Sequence, residues 1–314
     1  MNLLQAPVAL VGVPLDLGAK NLGVDIGPEA FRYREIISKL SNSGIDLRDH
    51  GNIVCAAREN LNPGDKQQRY LSEIVRVSEE TAKFCATEIR SGNRIVALGG
   101  DHSITLGLFS GAEIAHPNLG MIYFDAHGDL NTFETSLTGN IHGMHLAALL
   151  GHGNRQLVDI GDPGAKLKPK NLLHIGGNDF DPAELLLMQQ LDIPSYTLFD
   201  LLASGLAPLI QKIDLLAKSV DALWVSLDLD SIDSTYAPGA GMPSMAGLSY
   251  REVTAIAEYI GQHCPVIGVD VVEYNPLQDD NHKTAELGIE LIAKFLGHNY
   301  SWYTNYMAEN NVTR

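Results

Sequence analysis

Asp125-Ala126-His127-Gly128-Asp129 and Asp228-Leu229-Asp230 set acids and an imidazole two residues apart, each behind a run of apolar residues. In an extended chain, residues two apart point the same way, so each motif aims its ligands to one side. A third run ends in Gly99-Gly100-Asp101-His102-Ser103, and a fourth in Glu273. His102, Asp125, His127, Asp129, Asp228 and Asp230 together supply four carboxylates and two imidazoles, with no sulfur. So many carboxylates repel one another unless cations neutralise them. Oxygen-rich ligation with some imidazole suits Mn²⁺, ahead of Zn²⁺, Fe²⁺, Co²⁺ or Ni²⁺. Six ligands with carboxylates able to bridge fit a pair of metal ions, which lowers the pKa of a shared water toward neutrality. A lone Asp-x-Asp is usually a solvated loop. Three ligand-bearing strand ends in succession are hard to explain that way. Gly99-Gly100 lacks the GxGxxG or GxxxxGK[ST] spacing of a phosphate cradle.

These ligands need elements that hold them at one edge. Apolar, β-rich runs occur at residues 8–13, 94–98, 119–124, 172–175, 222–229 and 266–272. Near-continuous apolar strands are what a parallel sheet covered on both faces requires. Between them, helical patterns run over residues 28–43, 66–91, 104–115, 182–191, 206–219, 249–263 and 282–296. Pro28 and Pro182 suit a first helical turn, and Ser249 suits an N-cap with Glu252 as its partner. The alternation predicts a three-layer α/β/α sandwich with a central, mainly parallel sheet of about eight strands. In such sheets ligands bind beyond the carboxyl ends of the strands, where these motifs lie. No Pro/Ser-rich linker or repeat divides the chain, so residues 1–314 are expected to form a single domain.

Composition bounds the partners. Hydrophobic residues make up 45% and charged residues 19% of 314, enough for a large core. Twenty-two Lys and Arg stand against 38 Asp and Glu, a formal charge of -16. No basic cluster appears, which argues against nucleic acid and against an anionic membrane surface. Cys55, Cys85 and Cys264 are sparse and far apart, so neither a disulfide framework nor a cysteine metal site is expected. The first residues lack a basic n-region and carry Pro7 in their apolar stretch, so no signal peptide and a cytoplasmic location are expected.

GGDHS, FDAHGDLN, SLDLDSID and VVEYNP, with Gly23-Val24-Asp25-x-Gly27-Pro28 and Thr284-Ala285, resemble the ureohydrolase superfamily along nearly the whole chain. That resemblance implies two Mn²⁺ per protomer, hydrolysis of a guanidino substrate, and assembly as a homotrimer or homohexamer. One cation would take His102, Asp125, Asp129 and Asp228, the other Asp125, His127, Asp228 and Asp230. The segment with Asn131, Thr138, Asn140 and His142 is similar to that of the arginases. There the first three positions imply contacts to a substrate α-carboxylate, and His142 a proton shuttle. Asp181 and Glu184 fall where the α-amino group is bound, and Glu273 where the guanidinium is oriented. Asp129 falls where the nucleophile is hydrogen-bonded. The chemistry agrees: an amino-acid end needs short neutral donors for its carboxylate and acids for its ammonium. The expected reaction is L-arginine plus water to L-ornithine plus urea.

Rival readings are other ureohydrolases acting on agmatine, guanidinobutyrate or formiminoglutamate. A deacetylase-like amide hydrolase would need a single zinc, and a non-catalytic arginine-binding regulator would have no use for six ligands. Two departures from the family pattern stand out. Ser231-Ile232-Asp233-Ser234 replaces the usual Gly and Asp-Pro, and Met242-Pro243 replaces a usual Thr before the Pro.

Overall fold

The computed structural model describes residues 5–300. Eight strands are present: β1 (Val8–Val13), β2 (Leu47–Asn52), β3 (Arg94–Gly99), β4 (Leu119–Asp125), β5 (Leu172–Gly176), β6 (Ser195–Thr197), β7 (Ala222–Asp228) and β8 (Val266–Val272). They form one sheet in the order β2-β1-β3-β8-β7-β4-β5-β6, and every strand pair is parallel. The expected three-layer sandwich is observed. Alternate residues feed two separate apolar cores: Val8, Leu10, Val96 and Leu98 enter one, while Ala9, Val11, Ile95 and Ala97 enter the other. The first core is closed by α1 (Gly27–Tyr33), α2 (Ile36–Asn42), α8 (Leu198–Ser204), α9 (Leu206–Ser219), α10 (Tyr250–His263) and α11 (Lys283–Phe295). The second is closed by α3 (Leu71–Arg90), α4 (Ile104–Ala115), α5 (His145–Leu149), α6 (Arg155–Val158) and α7 (Pro182–Gln190).

All six expected runs are strands. The two further strands, β2 and β6, are the sheet's edges. The helical pattern over 28–43 breaks in two at Glu35, whose φ is 59°. The pattern over 66–91 starts late, at Leu71, after Tyr70 turns at φ 56°. Residues 66–70 hold the site instead, as described below. Ser249 caps α10 and forms the capping box with Glu252, as expected.

The strand order decides where chemistry can occur. β3, β8, β7 and β4 are the four central strands, and all point the same way. At ~4.8 Å per strand, their carboxyl ends lie within roughly 15 Å of one another. His102, Glu273, Asp228 and Asp125 thus arrive at one edge, although they span 171 residues of chain between His102 and Glu273. Gly100 tightens this edge. Its N–H donates to Val13 O at 2.9 Å, and a Cβ there would overlap the backbone of Leu15. The glycine pair therefore serves close backbone approach. Among the described residues no helix is long and apolar enough to cross a membrane.

Candidate metal centre and substrate cleft

The six ligand residues converge into two half-sites that share Asp125. His102 Nδ1 lies 3.1 Å from Asp125 Oδ2, 3.3 Å from Asp129 Oδ2 and 3.1 Å from Asp228 Oδ2. His127 Nδ1 lies 3.4 Å from Asp125 Oδ1 and 3.0 Å from Asp230 Oδ2. Extended alternation does not cause this convergence, contrary to the sequence reading. The chain leaves β4 and turns, with Asp129 at φ 50°, and Leu229–Ser231 forms a 3-10 turn after β7. Asp228 Oδ1 accepts from the Asp230 N–H at 2.9 Å inside that turn.

The donor set fits two divalent cations by charge alone. Asp125, Asp129, Asp228 and Asp230 are all buried. Four ionised carboxylates with two imidazolium ions leave two buried negative charges; with two neutral imidazoles and two divalent cations the sum is zero. His102, Asp125 and Asp228 form one group whose ligand atoms lie within 4.8 Å of each other, and Asp125, His127 and Asp230 form another. Without cations the site holds protons. Burial opposes charge on His102 and His127, yet the bonded carboxylates lift both well above the usual histidine range. Burial, aided by Asp125, lifts Asp230 to about 6.

Cations must displace those protons, because only the deprotonated ligands bind them. Loading two Mn²⁺ near neutral pH should therefore release at least about two protons, because Asp228 is also held well above the usual carboxylate range by burial and by Asp230, and binding of the pair should tighten by at least about 100-fold per pH unit. Calorimetric titration in buffers of different ionisation enthalpy checks this, and proton release near zero would contradict it.

A cleft of about 260 Å³ opens onto the ligands. It is lined by His127, Asp129, Asp228 and Asp230, and by every expected substrate residue: Asn131, Thr138, Asn140, His142, Asp181, Glu184 and Glu273. The Asn131 side-chain amide donates to Asp181 Oδ2 at 2.9 Å, tying the two ends of the expected amino-acid pocket together. Glu184 is held by backbone: Oε1 accepts from Leu130 N–H at 3.0 Å and Oε2 from Asp181 N–H at 2.9 Å. Burial, with the charge of Asp129, pushes Glu184 up to about 7. The loop bearing Thr138 and Asn140 is anchored at Gly139. Its φ is 70°, its carbonyl accepts from Arg69 N–H at 3.2 Å, and a Cβ would overlap the Lys66 carbonyl. Glu273 Oε1 accepts from His102 N–H at 3.0 Å and lies 3.2 Å from His142 Nδ1. Glu273 adopts φ 59°. A Cβ on Gly241 would overlap its Oε2.

Five buried side chains support the ligand positions: Tyr123, Ser226, Asp270, Thr105 and Trp224, of which only Ser226 falls within a quoted motif, SLDLDSID. His102 Nε2 lies 2.9 Å from Ser226 Oγ, which donates to Asp270 Oδ1 at 2.7 Å. Ser226 therefore accepts from His102, so Nε2 carries a proton and Nδ1 faces the carboxylates. Thr105 Oγ1 also donates to Asp270, at 3.0 Å, and Trp224 Nε1 donates to its other oxygen. Tyr123 pairs in register with Ser226, and Ser226 with Asp270, so one polar row crosses β4, β7 and β8. Tyr123 and Ser226 stand two residues before Asp125 and Asp228, on the same face of their strands. A polar residue two before a strand-end ligand was the available signal. His145 and His174 are both buried beside Tyr123.

The model of the Arginase family matches residues 6–297. An arginase from Bacillus caldovelox is 37% identical over 293 residues, 93% of this chain and 98% of that protein. The solved structure of Bacillus caldovelox arginase superposes with a TM-score of 0.91 at 36% identity, covering 94% of this chain and 100% of that one. An Entamoeba histolytica arginase solved with L-ornithine superposes with a TM-score of 0.86 at 30% identity, covering 93% and 99%.

Proposed function

Because this chain belongs to the arginase family, a family of hydrolases, we propose that it converts L-arginine and water to L-ornithine and urea with two Mn²⁺ per protomer. The observation that carries this reading is the union, in one cleft, of a charge-balanced two-cation ligand set with neutral donors and acids suited to an amino-acid end. His102, Asp125, Asp129 and Asp228 would hold one cation, and Asp125, His127, Asp228 and Asp230 the other. When bound, the cations supply Lewis acidity and a water acid enough to ionise near neutral pH.

The chain's own residues do the rest. Glu273, fixed by the His102 N–H, presents a carboxylate to the guanidinium, a pairing that can be bidentate. Asp129 offers a carboxylate oxygen to the attacking water. His142 is positioned by its N–H to Gly18 O at 3.2 Å. Burial works against its charge, but Glu273 lifts it to about 9, so it holds a proton at neutral pH. That proton is available to the leaving amine. Asn131, Thr138 and Asn140 receive the α-carboxylate, while Asp181 and Glu184 receive the α-ammonium. One sheet carries all these parts, which supports a single ureohydrolase domain over 1–314. A homotrimer or homohexamer and a cytoplasmic location belong to the same reading; light scattering tests the first. Urea release from a panel of guanidino compounds by the Mn²⁺-loaded protein tests the reaction, and release from none of them rejects it.

Met242 lines the cleft beside Gly241, half exposed. A hydroxyl there could add a hydrogen bond to a charged guanidinium, worth roughly 1.5–3 kcal/mol. Met242→Thr should raise kcat/KM for arginine by on the order of 10- to 100-fold, with metal content unchanged. An equal or lower value in a fully loaded protein would show that the position is peripheral.

A further inference from the structure

Tyr123 belongs to no ligand motif, yet its hydroxyl sits inside the ligand cluster. The side chain is fully buried. Its Oη lies 2.8 Å from Asp125 Oδ2, 2.8 Å from Asp129 Oδ2 and 3.2 Å from His102 Nδ1. The ring stacks on the His102 imidazole, with centroids 4.9 Å apart and an interplanar angle of 5°. His145 closes the far side, 4.4 Å from the His102 ring and with Nε2 3.4 Å from the hydroxyl. His145 Nδ1 lies 2.6 Å from the His142 carbonyl oxygen, which only accepts. Nδ1 therefore carries the proton, and Nε2 turns a lone pair toward the phenol. The phenol cannot swing away without displacing both imidazoles.

Two carboxylate oxygens that both face His102 repel each other, and donors or cations between them offset that repulsion. Beside His102, the phenol adds a second donor without adding charge; its single O–H donates to Asp125 Oδ2 or to Asp129 Oδ2 in turn, and its oxygen stays 2.8 Å from both. The His127 half-site is built differently: its imidazole is a quarter exposed, and its partner Asp230 accepts from the backbone N–H of Ala126 at 3.2 Å. The two cation positions therefore differ in support.

We propose that Tyr123 is a positioning residue for one of the two cations, holding Asp125 and Asp129 in their ligating pose on the His102 side only. The inference rests on the two-cation reading. Removing a group that orients a ligand typically costs 10- to 100-fold in metal affinity. Equilibrium titration of the metal-free protein with Mn²⁺ should resolve two equivalents. Tyr123→Phe should weaken one of them roughly 10- to 100-fold and leave the other unchanged. The equivalent it weakens should be the one that survives in Asp230→Ala, which disables the His127 side. Co²⁺-loaded Tyr123→Phe should show an altered visible spectrum for that equivalent. Loss of metal from loaded protein to a chelator, accelerated for one equivalent, gives the same answer without requiring a metal-free fold. Wild-type affinities at both equivalents with an unchanged Co²⁺ spectrum would overturn the inference, as would equal weakening of both. Failure of the unmodified protein to bind two equivalents would instead reject the two-cation reading.

Discussion

Asp230→Ala should yield a protein that binds one Mn²⁺ equivalent and hydrolyses arginine with kcat reduced by on the order of 10³. Asp230 Oδ2 is 3.0 Å from His127 Nδ1, and its Oδ1 accepts from Ala126 N–H. Removing it leaves that side with His127 and with Asp125 and Asp228, both of which the other cation shares. A Lewis acid at a reacting centre stabilises the transition state by several kcal/mol, and about 1.4 kcal/mol is tenfold in rate. The His102 half-site keeps Asp125, Asp129 and Asp228, so the other cation should stay. Metal analysis after reconstitution, set beside single-turnover urea release, checks both halves. A variant that still holds two equivalents and turns over normally would show that the second half-site is not a cation site.

Arginine should be preferred over agmatine by on the order of 10⁴ in kcat/KM, because a site built to hydrogen-bond a polar group rejects an analogue lacking it by about that factor. Asn131 and Asn140 are buried, and both line the same cleft as Glu273. An agmatine molecule has no α-carboxylate, so Asn140 would be covered without that partner, and Asn131 would keep only its bonds to Asp181 and Thr135. Steady-state assays with both substrates decide the matter. Equal values would mean that the loop from Asn131 to Asn140 is only a turn, and would favour another ureohydrolase activity.

Much of this was legible in the sequence, for reasons that also mark its limit. Parallel strands buried on both faces are apolar throughout, so β1, β3, β4, β5, β7 and β8 stand out. The edge strands do not: β2 reads LRDHGN and is only partly buried, and β6 has three residues. Helix boundaries at Glu35 and Tyr70 depend on left-handed turns, which neither residue type announces. The cluster of carboxylates and imidazoles was legible because carboxylates crowd at strand ends for few other reasons. Tyr123, Ser226 and Asp270 were not, because one polar residue inside an apolar strand looks like any satisfied core position. Only the register, which pairs Tyr123 with Ser226 and Ser226 with Asp270, shows that they form a row.

The left-handed backbone of Asp129 and Glu273 bears on how this protein would respond to laboratory evolution. Both are non-glycine residues at positive φ, 50° and 59°. Such a conformation costs a residue with a side chain roughly 1–2 kcal/mol, a penalty that glycine escapes and asparagine partly escapes. Each also adds a carboxylate to a crowded acidic pocket. Glycine at either position, or asparagine in place of Glu273, would relieve backbone and charge together. A library screened for heat resistance alone, with no demand for turnover, would thus gather its gains at residues that line the cleft. Breeding a hardier version of this protein calls for paired selection, with urea production scored in every round.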